Sequence, residues 1–132
     1  MASQEEPSSS ASSYSLQSVV TGHHIYKSVW SPTIGETLAL EREEDNVHDR
    51  YAVTVIRNES IVGHMPRSIS RVSSYFLMHG GSIECSITGH RRHGHGLEVP
   101  CVYVFKGTGR MIRKVTRLLE ATENLPPESC PF

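Results

Sequence analysis

Several short stretches of this chain alternate polar and apolar residues with a period of two, and that pattern restricts it to a fold built mainly from half-buried β-strands. Thr37 to Glu41 reads TLALE. Ala52 to Arg57 reads AVTVIR, with Ala52, Thr54 and Ile56 on one face and Val53, Val55 and Arg57 on the other. Arg57-Asn58-Glu59-Ser60 separates this run from Ile61-Val62-Gly63-His64, a spacing that predicts a hairpin turned at Asn58. Leu16 to Val20 opens the fold, and Ser82 to Gly89 and Leu97 to Phe105 add two more strands. Between those two lies HRRHGHG, read as a loop because its glycines and charges are hard to place within a sheet.

Two segments change to a helical period. Pro66 and Ser68 introduce a helix in which Ile69, Val72, Phe76 and Leu77 share a face that should pack on the sheet, and Gly80-Gly81 stops it. From about Gly109 to Glu120, Met111, Ile112, Val115, Leu118 and Leu119 form one stripe, with Arg110, Arg113, Lys114 and Arg117 around it. About five to six strands with two short helices predict a mainly β fold, a small OB-like barrel or strongly curved sheet. The 132 residues suit a single core with tails. Residues 1–13 are Ser-rich and poor in apolar side chains, so they are expected to be a disordered tail. The domain is expected over 14–121, followed by a Pro-rich tail over 122–132.

The net charge of -1 hides a polarised sequence. From Glu36 to Asp49 there are six acids and one base, whereas from Arg57 to Arg117 there are ten bases and three acids. On charge counts alone, opposite charges pairing across the solvated surface account for this better than a ligand does. No apolar run approaches the roughly 20 residues that span a bilayer, and the amino terminus reads as neither a secretory nor a mitochondrial signal. Cys85, Cys101 and Cys130 are odd in number, widely spaced and never arranged as CxxC, so neither a disulfide framework nor a zinc site is expected.

The most informative stretch is EREEDNVHDRYAVTV, Glu41 to Val55. Its Arg42, Glu43, Asn46, Asp49, Ala52, Val53 and Val55, followed by Val62-Gly63-His64-Met65-Pro66-Arg67, resemble the HIRAN domain pattern of strand, acidic loop, strand and basic turn. Gly22 to Tyr26 and Gly35-Glu36 fit upstream, so the resemblance covers roughly Val19 to Lys106. It implies an OB-like barrel that holds the free 3′ end of single-stranded DNA. In that family the domain commonly targets a helicase-like, fork-remodelling ATPase, which implies a role in DNA repair or replication-fork processing and favours the nucleus over the cytoplasm.

The resemblance assigns roles residue by residue. Asp49 stands where a loop carboxylate accepts a hydrogen bond from the terminal 3′-hydroxyl, a role suited to an acceptor-only side chain. Its alternative is a loop aspartate satisfying local backbone amides. His48 replaces the tyrosine frequent in the family, where an imidazole stacks less well. His64 and Arg67 match phosphate-contacting residues, although a satisfied core histidine is an alternative for His64. His24 and Tyr26 fall among further basic and aromatic contacts, and Phe105 matches an aromatic near the terminal bases, with core packing as its alternative. Arg91 and Arg92 are candidate backbone contacts.

Other chemistry finds little support. His93 and His95 lack an adjacent acid or cysteine, and the acidic loop lacks the DxDxDG order of a calcium loop, so no metal is expected. There is no GxxxxGK, and GTGR at Gly107 to Arg110 is too short for a phosphate loop. Cys85 and Cys101 lie in apolar strand patterns, where inert burial outweighs a nucleophilic role and leaves a hydrolase with little basis. The expectation is therefore a stand-alone, cofactor-free, non-enzymatic module for single-stranded DNA 3′ ends, with a helicase-like ATPase as a partner in trans. A protein-interaction domain on the same barrel is the alternative, and His48 is the feature that favours it.

Overall fold

Asn58 and Glu59 both adopt left-handed backbone angles, with φ of 51° and 71°. Positive φ at both central residues suits a two-residue hairpin whose turn follows the twist of its strands. The turn joins β3 (Val53–Arg57) to β4 (Ser60–His64), as the sequence predicts. The computed structural model describes residues 11–22, 30–94 and 96–121. Its other strands are β1 (Ala11–Val20), β2 (Thr37–Arg42), β5 (Ser82–Ile87), β6 (Arg92–Gly94) and β7 (Gly96–Thr108), and its helices are α1 (Arg67–Met78) and α2 (Gly109–Glu120).

All seven strands pair antiparallel, in the order β1-β7-β5-β2-β3-β4, with β6 hairpinned onto the start of β7. The sheet does not close through a ladder, but its two edges meet at one antiparallel bridge. Thr21 and His64 exchange backbone hydrogen bonds of 2.8 and 2.9 Å there. A Cβ at Gly63 would overlap the Val20 side chain, so glycine permits this crossing. The mainly β, OB-like expectation holds as a strongly curved open sheet.

Two boundaries differ from the sequence reading. Ala11, Ser12 and Ser13 belong to β1, paired with Thr108, Gly107 and Lys106, so the fold begins before residue 14. A partner strand satisfies the backbone of a Ser-rich segment that cannot bury much apolar surface of its own. The segment read as a loop also contains a strand, because Arg92, His93 and Gly94 pair with Glu98, Leu97 and Gly96.

The core lies inside the curved sheet and beneath both helices. Val20, Val53, Val55, Val99, Tyr103 and Phe105 have no exposed surface, and Phe76 brings α1 against them. Its ring meets Phe105 edge-on at 5.4 Å. Trp30 is buried as well, and its indole N–H donates to Glu36 at 3.0 Å, the partner a buried tryptophan requires. α1 also buries Ser70, Ser73 and Ser74, small side chains that let it lie close to the sheet. On α2, Ile112 and Val115 are buried, and Thr108 caps the helix by accepting from the Met111 N–H.

Candidate functional site

The stretch between β2 and β3 carries the acidic sequence, and its backbone is fixed at both ends. Glu43 N–H donates to Ala52 O at 2.9 Å, continuing the β2–β3 ladder past Arg42. Within the loop, Asn46 Oδ1 accepts from the backbone N–H groups of His48 (2.8 Å) and Asp49 (2.9 Å), while its amide donates to Glu43 Oε1 at 3.0 Å. This Asx-type turn needs a short side chain carrying both donor and acceptor, which asparagine supplies. Asp49 Oδ1 then accepts from the Tyr51 N–H at 3.0 Å, fixing the carboxylate relative to the loop.

β4 and α1 provide the opposing wall. His64, at the end of β4, places Nε2 3.0 Å from Glu43 Oε1; a carboxylate can only accept, so the imidazole donates. The Asn46 amide and the His64 imidazole outweigh partial burial and hold the Glu43 carboxyl below its ordinary value of 4.5. Arg67 opens α1, with Nε 3.4 Å from Asp49 Oδ2 and a terminal nitrogen 3.4 Å from His48 O. The Arg67 side chain is 76% exposed and that of Asp49 only 19%, so an exposed cation lies over a mostly covered anion. The first turn of α1 carries no acid and no side-chain cap.

Asn46, His48, Asp49, His64 and Arg67, together with Thr21, Ala52 and Met65, enclose a cleft of about 220 Å³. Four sequence-predicted residues, His48, Asp49, His64 and Arg67, thus come together at the point where the sheet edges meet. Phe105 does not join them: it is fully buried between Tyr14 and Phe76 and belongs to the core. Its run alternates inward, and Phe76 of α1 packs against the Phe105 ring. His24 and Tyr26 lie outside the described residues.

Arg91 and Arg92 are exposed and do not line the cleft. Arg91 reaches Ser31 Oγ at 3.4 Å, and Arg92 lies 3.9 Å from Glu98. Register nevertheless carries the β6–β7 hairpin to the cleft's end of the sheet, because Val99, next to Glu98, pairs with Val20, next to Thr21. Glu43 and Asn46 were legible as parts of a motif but not as the clamp that orients His64 and Asp49.

The polarised charge is partly paired internally, through Arg57 with Glu36 and Arg67 with Asp49. Among the described residues no group of three or more histidine, cysteine or acidic side chains could hold a metal ion, and no helix is long and apolar enough to cross a membrane. Cys85 and Cys101 are buried free thiols, and the Cys101 thiol together with burial pushes the Cys85 thiol well up, disfavouring a thiolate. Cys130 lies outside the described residues.

A sequence profile of the HIRAN domain matches residues 13–101, which include every residue of the cleft. The chain belongs to the HIRAN domain family. The crystal structure of the HIRAN domain of human HLTF is similar, at 23% identity and a TM-score of 0.67, over 82% of this chain and 88% of that one. The NMR structure of the HLTF HIRAN domain in its DNA-bound conformation matches at 22% identity and a TM-score of 0.65, over 83% and 88%. A crystal structure of a Lactobacillus plantarum protein shares the fold at 16% identity and a TM-score of 0.53, over 72% and 98%. No curated protein matches. At these identities the structural likeness establishes the HIRAN fold, and Phe105 and α2 lie beyond the span of the family match.

Proposed function

We propose that this HIRAN domain is a DNA-binding module that captures the 3′-hydroxyl end of single-stranded DNA in the cleft between the acidic loop and α1. The observation that carries the reading is Asp49, an acceptor fixed by the Tyr51 N–H and facing Arg67 and His64 across a small cleft. A carboxylate offers about four acceptor positions and Asp49 engages two partners, which leaves capacity for a terminal hydroxyl. The cleft, at about 220 Å³, is smaller than the roughly 300–1,000 Å³ of a drug-sized pocket and suits a terminal sugar with its phosphate rather than a base pair. The HLTF HIRAN domain, which has the same fold, is known in a DNA-bound conformation.

His48 stacks on the terminal base, His64 and Arg67 approach the adjoining phosphate, and the amino end of α1 adds a favourable dipole. The module binds without catalysing; a helicase-like ATPase acting in trans during nuclear fork processing or repair suits such an end-binding role. A protein-interaction surface is the second reading, favoured by Val47, an apolar loop residue left 89% exposed.

Two variants divide the labour. Asp49→Ala abolishes the preference for a 3′-hydroxyl over a 3′-phosphate, because phosphate both removes the donor and brings a like charge to the carboxylate. Losing this charge-assisted bond costs about 1.5–3 kcal/mol, or roughly one to two decades of affinity. Arg67→Ala weakens both ends similarly and lowers the salt slope by about 0.7, while the hydroxyl preference survives. Fluorescence anisotropy with labelled strands measures both effects. A hydroxyl preference retained by Asp49→Ala would contradict the assignment.

A further inference from the structure

The acidic loop continues past Asp49 into Arg50 and Tyr51, which pack against the outer face of α1. The Tyr51 and Tyr75 rings lie 5.5 Å apart at 36°, with their hydroxyls 3.3 Å apart. Two guanidinium carbons stand over the Tyr51 ring, Arg50 at 5.1 Å and Arg71 at 5.6 Å, and Arg50 also donates to the Tyr51 hydroxyl at 3.0 Å. The Tyr75 hydroxyl and then Arg50 hold the Tyr51 hydroxyl below its ordinary value. Beside the pair, Arg42 is held by Ser74 at 3.0 Å and Glu44 at 3.4 Å. Arg42, Glu44, Arg50, Tyr51, Tyr75 and Met78 line a groove of about 190 Å³.

This basic and aromatic patch is continuous with the cleft. The Tyr51 N–H is the donor that fixes Asp49, and Arg71 follows Arg67 by four residues on α1. Residues four apart on a helix stand about 5–6 Å from one another, comparable to the step between successive phosphates of an extended strand. A guanidinium stacked on an aromatic ring can still donate to a phosphate, and a guanidinium or ring face left uncovered can stack on an unpaired base. Glu44 is the one acid among the groove's lining residues.

We propose that this patch is a second nucleic-acid subsite, a track along α1 on which Arg71 and Arg50 hold the phosphates, and the Tyr51–Tyr75 pair a base, of the nucleotides upstream of the terminal two. The assignment rests on the end-binding reading. The strand leaves the cleft past Arg67 and continues along α1, rather than turning toward Arg91 and Arg92 on the β6–β7 hairpin. An acidic peptide would satisfy the arginines, but it lacks a planar base to use the paired rings.

The test compares a thymidine dinucleotide with longer oligothymidylates, each carrying a free 3′-hydroxyl, against wild-type protein, the pair Arg50→Gln with Arg71→Gln, and the pair Arg91→Gln with Arg92→Gln. Wild-type affinity should rise from the dinucleotide to the longer strands. The Arg50/Arg71 pair should bind the dinucleotide as wild type does, which also shows that it folds. It should lose roughly tenfold on the longer strands and about 1.4 of the salt slope. The Arg91/Arg92 pair should keep the length gain. The track is overturned if wild-type protein gains nothing with length, if the α1 pair retains the gain, or if the hairpin pair loses it. Hydroxyl-end preference on the dinucleotide reports the end-binding reading separately, so failure of one is distinguishable from failure of the other.

Discussion

Asn46 holds the acidic loop in shape with three side-chain hydrogen bonds: two accepted from the His48 and Asp49 N–H groups, and one given to Glu43. Asn46→Ala therefore should cost about 1–3 kcal/mol in urea unfolding, and hydroxyl-end preference should fall as Asp49 loses its fixed position. An unchanged preference would mean that Asp49 is positioned independently of Asn46. Glu43 makes the same assembly sensitive to acid. Its carboxyl is held below 4.5 in the folded protein, so the folded state binds fewer protons than the unfolded one. Its contribution is complete above about pH 4.5 and is lost as pH falls through the lower folded value. Melting temperatures measured from neutral to strongly acidic pH should fall more steeply for wild type than for Glu43→Gln in that window; parallel curves would contradict the assignment. At His48, where the loop presents an imidazole, His48→Tyr should tighten binding several-fold, since stacking an aromatic on a base is worth about 1–3 kcal/mol. The types and order of these residues were legible in the sequence. The Asn46 clamp and the contact between Arg67 and Asp49 were not, because each depends on a loop geometry that no periodicity encodes.

At the scale of elements, Gly63 is where the sheet's edge can approach β1. A methyl group there meets Val20 and the Thr21 carbonyl, so Gly63→Ala should destabilise the fold by about 1–3 kcal/mol and weaken end binding by displacing His64. Thermal melting together with DNA titration reads both effects, and a neutral substitution would show that the edges can separate without cost. Six of the seven strands, β1 from Leu16 onward, and both helices followed from alternation, turn residues and helical period. The sequence underestimated two elements for one reason. β6 and the start of β1 contain glycine, serine and charge, and are held by hydrogen bonds to β7 rather than by apolar burial of their own. α1 shows the converse: its apolar period was visible, but the burial of Ser70, Ser73 and Ser74 was not, because small polar residues reveal their role only when another layer lies close. Phe105 follows the same logic. The packing of Phe76 on its ring decides between core and ligand surface, and that contact joins residues distant in sequence.

For the whole molecule, the polarised charge resolves into local arrangements rather than two opposed faces. Acids of the loop meet His64 and Arg67 at the cleft, while Arg50 and Arg71 gather over Tyr51. A net charge of -1 therefore does not prevent an anionic ligand from meeting a cationic path, because field and contact at the site outweigh the sum over the surface. The proposed function requires the cleft to recognise a free 3′-hydroxyl. Its most direct test is an NMR titration of the wild-type protein with two otherwise identical single strands, one ending in a 3′-hydroxyl and the other in a 3′-phosphate. Saturable shifts should centre on the backbone amides of His48, Asp49, Tyr51, His64 and Arg67, with markedly tighter binding of the hydroxyl end. Equal affinity for the two ends, or shifts confined to surfaces away from the cleft, would contradict it.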